Sequence, residues 1–476
     1  MLFYLAANLC EVPGLTDKER EQLHDLIDEF NRRIGKNVLK NRYYEGHVTL
    51  GEVNLGLALP DGIKKLEIGC EWGAKTVDVL ASRSMFDGFV GTDGNDAEGM
   101  RRIMDGNRLR AEYMKACRDE LKYGCTFATL SADRELGARI RFHSPETAVA
   151  LWDGDKGRID CGLCVIDVIK KNDLTMMDAT PSVIRFDTDK AIITFHRVDD
   201  TRWNMERQTH RMGRPLMVPM IWNATSQKPF GRSRLKEPIR RLIQGYVRTV
   251  ANATIGLEFA TSPQKYLLGV TDDQYDQVIS QKFRQYIGSI LAATTNPETG
   301  ANPVFGQLQQ GTIEPHVQMI RVLATQFAAA TGLSVVDTGV INDANPTSSD
   351  AILAQSQTLV LMAEQLNAGN GDALRMIALM AQAIARNCTL EDLTEDELSI
   401  IAHFKNPAMP SVSVTADAAI KISSVRPDFA GTDTFLEMIG FDQADIRRIR
   451  GQEARVRGTS VLNEEFADED INESVG

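Results

Sequence analysis

Absent from the 476 residues is any run of about 18 apolar side chains, so no helix read from the sequence spans a bilayer. The first ten residues, MLFYLAANLC, are apolar but lack a basic flank and run straight into the acidic EVPGLTDKERE. They read as a packed N-terminus, not a signal peptide. Nucleotide-binding signatures are missing too. No G-x-x-x-x-G-K-[ST] occurs, which excludes a P-loop NTPase, and neither G-x-S-x-G nor a strand-borne G-x-G-x-x-G is present. The seven histidines include no pair three to five residues apart, so no H-E-x-x-H metal site exists. Seven scattered cysteines suit reduced thiols. Cys161 and Cys164 form a lone C-x-x-C inside a strand pattern, where alternation places them on opposite faces as buried structural thiols. The one acid-x-Lys triplet of the nuclease kind, Glu120-Leu121-Lys122, falls in a helical pattern. GTDGNDAEG (91–99) offers Asp93 and Asn95 as calcium ligands, but Ala97 and Met104 occupy two ligand positions, so a plain turn is the reading. No catalytic centre, metal or cofactor follows from the sequence.

What is present is a length sufficient for two to four domains, 43% hydrophobic residues, 25% charged residues and a net charge of −12. That charge opposes tight binding of nucleic acid over the whole surface, which needs many Lys and Arg contacts. TDKEREQLHDLIDEFNRRIG (16–35) is a helix opened by a Thr16/Glu19 capping box. Helical spacing recurs over 62–84, ended by the turn-rich FDGFVGTDGND (86–96), and over 97–122. From Cys125 to Asn223 short β-branched segments alternate with Gly, Asp, Asn and Pro, which predicts antiparallel strands in an α+β fold. Helix returns at 233–258 and at 314–332. A sparsely charged helical stretch covers 349–387, with Gly369-Asn370-Gly371 expected to kink or split it. SVSVTADAAIKI (411–422) reads as a strand, and NEEFADEDINESVG as an acidic, disordered end.

One element sits oddly in so acidic a chain. GRSRLKEPIRRLIQGYVRTVANATIGLEF (231–259) reads as an amphipathic rod bearing Arg232, Arg234, Lys236, Arg240, Arg241 and Arg248 against Glu237 alone.

Three stretches together resemble the portal proteins of tailed double-stranded-DNA bacteriophages. NRYYEGH (41–47) with GIKKLEIGCEWGAKTVDVLASRSMFDGF (62–89) is similar to the family's start: a Tyr-rich tether before a helix and a Phe-Gly-Phe-type turn. PFGRSRLKEPIRRLIQGYVRTVANATIGLEFATSPQKYLLG (229–269) resembles the passage from wing to stem and clip. The helix–loop–helix from Glu314 to Asn387 resembles the second stem helix, the tunnel loop and the long helix behind it. The resemblance covers roughly residues 40–450 and rests on order and pattern.

It implies a mixed α/β wing at 1–230, helical first and β-rich over 125–223, with a first stem helix at 231–260. A clip would occupy 261–312, a second stem helix 313–332 and a tunnel loop 333–348. Wing and crown-proximal helices would span 349–387, a helical crown region 388–458 and a disordered acidic tail 459–476. It further implies a ring oligomer, typically of twelve subunits, at one vertex of the virion capsid, assembled in the host cytoplasm. Double-stranded DNA would pass through it during packaging and ejection. The implied partners are further copies of the chain, the terminase large subunit, major capsid and scaffolding proteins, and a head-completion or adaptor protein. No enzyme is implied. In that setting the stem cations would repeat as bands of positive charge, an ordinary solvated helix face being the alternative. Asp337, Asn342, Asp343 and Asn345 would line the constriction, and Tyr275, Phe283 and Phe305 the docking face of the clip. A capsid-lattice or other head-morphogenesis protein, and more remotely a nucleic-acid enzyme, are the competing readings.

Overall fold

The computed structural model describes residues 3–49, 67–91, 98–170, 179–261, 265–268, 304–307, 312–340, 349–408, 412–441 and 448–456, with positions 300, 302, 445 and 446. The chain divides into two compact units, Met1–Pro407 and Ala408–Gly476. In the first, α1 (Asp17–Tyr44) opens with the expected capping box, Glu19 N donating to Thr16 Oγ1 and Thr16 N to Glu19 Oε2. It runs past Gly35, because an internal glycine costs only about 1 kcal/mol and buried Ile34 and Tyr43 extend the apolar face.

β1 (His47–Thr49) pairs with β2 (Glu67–Gly69), which precedes α2 (Trp72–Ala81). The helix expected over 62–84 therefore shortens, residues 62–66 lying outside the described residues. The turn expected at Phe86 is instead β3 (Phe86–Val90), with Phe86 and Phe89 buried. Its partner is β14 (Ile401–Phe404), too far along the chain for a local reading to find. The single helix expected over 97–122 is two, α3 (Glu98–Gly106) and α4 (Leu109–Tyr123). Between them Arg108 adopts φ 50°, and Asn107 donates to Ile103 O and Ala138 O while accepting from Ile140 N. A side chain that serves backbone groups on two elements replaces the helical ladder there.

The strands are β4 (Cys125–Asp133), β5 (Gly137–His143), β6 (Ala148–Asp153), β7 (Arg158–Lys170), β8 (Ala179–Asp187), β9 (Ala191–Arg197), β10 (Trp203–Thr209) and β11 (Met217–Ile221). They form a five-stranded sheet, β10-β9-β8-β7-β6, and a three-stranded sheet, β11-β4-β5, whose pairings are all antiparallel. One face of the larger sheet packs on Leu23, Leu26, Ile27 and Phe30 of α1 and on Phe3, Leu5 and Leu9, so the N-terminal apolar stretch is packed as read. The other face meets Phe127 and Met217 of the smaller sheet. Cys161 joins the first core and Cys164 the second, as alternation requires. Ile159 shares a face with Cys164 because Leu151 and Trp152 pair with Cys161 and Ile159, leaving Asp160 as an extra residue that inverts the phase.

Next come α5 (Glu237–Thr261), the ribbon β12 (Lys265–Leu268) with β13 (Val304–Gln307), α6 (Glu314–Thr331), α7 (Ser349–Arg386) and the short α8 (Glu395–Leu398). The break expected at Gly369-Asn370-Gly371 does not occur. α7 runs through, because a Cβ on Gly369 or Gly371 would already touch Ile221 O or Phe404; the glycines give close packing. In the second unit, α9 (Val412–Val425) replaces the strand expected at 411–422. Only S-V-S-V alternates; ADAAIK is rich in helix formers, and Ala419 is buried on a helical face. α10 (Asp433–Ile439) follows.

A buried ion pair on β8 reaches across to the smaller sheet through its arginine. Arg185 donates to both carboxylate oxygens of Asp187, at 2.8 and 2.6 Å, and to Leu130 O at 2.6 Å, and Asp187 is fully buried. Removing one partner strands a buried charge, so Asp187→Ala should destabilise by about 3–5 kcal/mol, whereas an apolar double replacement should be far milder. Urea midpoints at unchanged slope measure both.

Candidate functional site

The site grows from the segment that leads into α5. Residues 231–236 are not helical, because their backbone is committed elsewhere: Arg232 N donates to Trp222 O and Arg234 N to Leu121 O. Gly231 holds φ 68°, and a Cβ there would sit 2.1 Å from Trp222 O, so only glycine fits. The helix starts at Glu237, with Pro238 in its first turn, where a missing N–H costs nothing. The expected helix start at 233 is thus corrected by several residues.

α5 and α6 lie antiparallel. Arg234, just before α5, meets Thr331 at the end of α6, while a Cβ on Gly245 would touch Leu323. Ile239, Ile243, Val247 and Ala251 form the buried stripe of α5, against Leu323, Ala324, Phe327 and Ala328 of α6. Trp72 of α2 stacks between the pair, its ring 4.4 Å from Tyr246 and 4.6 Å from Phe327.

Arg234 does not join a surface band. It is buried, with Nε donating to Thr76 O and Nη2 to Thr331 O, both at 2.6 Å, and Nη1 facing Met362 Sδ of α7 at 3.3 Å. Burial alone pulls its guanidinium down to about 10, still cationic at neutral pH. Its charge is met by carbonyl dipoles, one at the negative end of α6.

Beyond α6 the chain turns at Gly332 (φ 73°) and makes a 3-10 turn, Val336–Thr338, ending at Gly339 (φ 76°). Asp337 caps this turn internally, its Oδ2 accepting from Ser334 N and Oγ. Trp72 Nε1 donates to Thr338 O at 3.1 Å, and Lys75 Nζ donates to Asp337 O at 2.6 Å. Trp72, Lys75 and Thr76, at i, i+3 and i+4 on one face of α2, thus fasten both the end of α6 and the root of the following loop. Of the expected constriction, only Asp337 is described, and it belongs to this half-buried root. Asn342, Asp343 and Asn345 lie outside the described residues, as do Tyr275 and Phe283. Phe305 stands in β13 opposite Leu267.

The remaining cations scatter in role. Arg232 and Lys236 are exposed but precede the helix. Arg240 is half-buried, donates to Leu235 O and lies over the Tyr43 ring at 5.8 Å. Arg241 is exposed and paired with Glu237. Arg248 is half-buried, and its Nη1 has no hydrogen-bond partner. The opposite face of α6 is more distinctive. Gln318, Met319, Val322, Thr325, Gln326, Ala329 and Ala330 are exposed and uncharged, with Met319 and Val322 about half open to solvent.

Among the described residues no group of three or more His, Cys, Asp or Glu side chains is placed to hold a metal ion, and no helix is long and apolar enough to cross a membrane. Glu120 of the nuclease-like triplet is fully buried in α4.

The arrangement is a mixed α/β body joined to an antiparallel helix pair and a loop root. Residues 23–455 match the family model described as "Phage portal protein, SPP1 Gp6-like", so the chain belongs to the phage portal protein family. No curated protein matches it. Among solved structures it is similar to a chain in "Virion of native gene transfer agent (GTA) particle", at TM-score 0.44 and 11% identity, over 78% of this chain and 89% of that one. It is also similar to a chain in "Neck of empty GTA particle computed with C6 symmetry", at TM-score 0.43 and 11% identity, over 80% and 90%.

Arg234→Ala removes the charged donor from two buried carbonyls and should destabilise by about 2–4 kcal/mol. Arg234→Lys should recover only part, because an ammonium cannot serve divergent acceptors as a fork does. Hydrogen exchange at 332–340 should quicken in both variants. Arg241→Ala, an exposed pair, should stay within about 0.5 kcal/mol.

Proposed function

We propose that the chain forms a closed ring at one capsid vertex and that double-stranded DNA passes through its centre during packaging and ejection. Family membership supports the portal role. The observation that carries the ring is the exposed face of α6 beyond Glu314, where Met319 and Val322 stand about half open and no exposed residue is charged, since a helix face that stays in water normally carries charge. Copies related head to tail cover such a face and close into a ring when the rotation allows. Residues 231–260 and 313–332 then act as stem and 333–348 as tunnel loop. The wing is residues 1–230, and the helices 349–387 and the region 388–458 lie toward the crown. A net charge of −12 per subunit disfavours gripping of DNA, while Arg232, Lys236 and Arg241 recur once per subunit as local phosphate contacts. The clip, 261–312, is the docking surface for the terminase large subunit and then for a head-completion or adaptor protein. The wing faces capsid and scaffolding proteins.

Negative-stain electron microscopy with mass photometry should find rings of about a dozen subunits, the closed form that head-to-tail contacts permit. Shell-like particles would move the assignment to a lattice protein. Met319→Glu with Val322→Glu should leave the fold intact and remove the rings.

Charged replacements of Tyr275 or Phe283 should keep rings but abolish capture of terminase. Normal packaging complexes from those variants would end the clip assignment.

A further inference from the structure

A second buried polar contact joins α4 to the middle of α7. Glu120 and Asn370 are both fully buried. Asn370 Nδ2 donates to Glu120 Oε2 at 2.8 Å and to the Tyr113 hydroxyl at 3.1 Å. The Tyr113 hydroxyl lies 2.6 Å from Ser84 Oγ, which gives its own proton to Asn367 Oδ1 at 2.6 Å. The direction of this chain is therefore fixed: Asn370 donates to Tyr113, Tyr113 to Ser84, and Ser84 to Asn367. Both protons of the Asn370 amide are used. Two buried oxygens remain without any partner, Glu120 Oε1 and Asn370 Oδ1.

These are the second oxygens of two groups already joined by a hydrogen bond. A carboxylate carries acceptors only, and Oδ1 is also an acceptor, so an ionised Glu120 leaves both orphaned. A carboxylic acid supplies the missing proton. We infer that Glu120 is a neutral acid in the folded protein, donating Oε1–H to Asn370 Oδ1, so that acid and amide form a reciprocal two-bond clasp holding α7 against α4. Two buried orphans in contact groups are thereby satisfied at once, where each alone would cost the fold its desolvation.

The surroundings agree. Burial pushes the Glu120 carboxyl up to about 8, the Asn370 hydrogen bond acting weakly the other way. The groups facing it are Tyr113 and Cys117 on its own helix and Cys125 at the start of β4, all raised by burial and all neutral at pH 7. Asn367 and Asn370 on α7 and Ser84 beyond α2 do not titrate in this range. No lysine or arginine contributes to the shift. The clasp is thus a proton-dependent catch. α7 begins at Ser349, and Asn370 lies on the order of 32 Å down that helix at 1.5 Å per residue. Ionisation of Glu120 breaks one of the two bonds of the clasp. This inference stands independently of ring formation.

The sign of the pH effect follows from linkage. An acid held by the fold above its unfolded value keeps a proton that the unfolded chain releases, so its contribution is complete below about 4.5, the unfolded value, and is lost as pH rises to about 8. The full-length protein and Glu120→Gln are compared by denaturation midpoint from pH 5 to pH 9. The wild-type midpoint should fall relative to the variant across that range and level off above about pH 8. Infrared titration of the wild type should also show a carboxylic-acid C=O band that persists at pH 7 and disappears in alkali. Should Glu120→Gln fail to fold, the infrared titration of the wild type decides alone. A midpoint difference independent of pH, or no acid band in the wild type at pH 7, would overturn the inference.

Discussion

The arrangement of the first unit depends on a buried guanidinium that has no carboxylate. Arg234 touches three elements with one planar group: the carbonyl of Thr76 in α2, the last turn of α6 at Thr331, and Met362 of α7. Moving a cation out of water is costly, and carbonyl dipoles repay that cost only when they converge on the charge. Convergence here needs residues 231–236 kept out of the helix, which in turn needs the left-handed Gly231 against Trp222 O and the late helix start at Glu237. The direction of α5, and through its apolar stripe that of α6, is set before either helix begins.

The same constraint explains the loop root. Once α6 ends at Thr331 under Arg234, Gly332 turns the chain back over α2, where Trp72 and Lys75 wait one helical turn apart. Three donors from neighbouring elements hold the main-chain oxygens of Thr331, Asp337 and Thr338.

Much of the fold was legible wherever burial is one-sided and local. The capping box of α1, the strand alternation around Cys161 and Cys164, and the helices at 314–332 and 349–387 each repeat a period that a short window captures. What escaped depends on distant partners. β3 owes its conformation to β14, the break before α4 to Asn107 serving β5, and the continuity of α7 to packing around two glycines. The site was less legible than the fold. Charge spacing grouped six cations into one band, yet Arg234 is core, Arg241 is paired with Glu237, and Arg240 is half-covered. No local pattern marks an arginine whose acceptors are carbonyls of residues 76 and 331. Lys75, inside an apolar helix, was the one visible hint.

Arg234 and Glu120 are opposite solutions to one problem. Both are ionisable groups driven into the same large core and both face α7, one at Met362 and one at Asn370, two turns apart. Arginine cannot shed its charge at accessible pH, so the fold must gather dipoles around it. Glutamate can shed its charge by keeping a proton, so an amide that both donates and accepts is enough. α7 is thus held by one contact that is indifferent to pH and one that is not. In a helix with so few charges of its own, these two contacts, with Ser84 on Asn367 and Arg375 on the carbonyls of Leu398 and Ile400, resist movement along its axis, because apolar packing alone tolerates sliding by a turn far better than a directional hydrogen bond does.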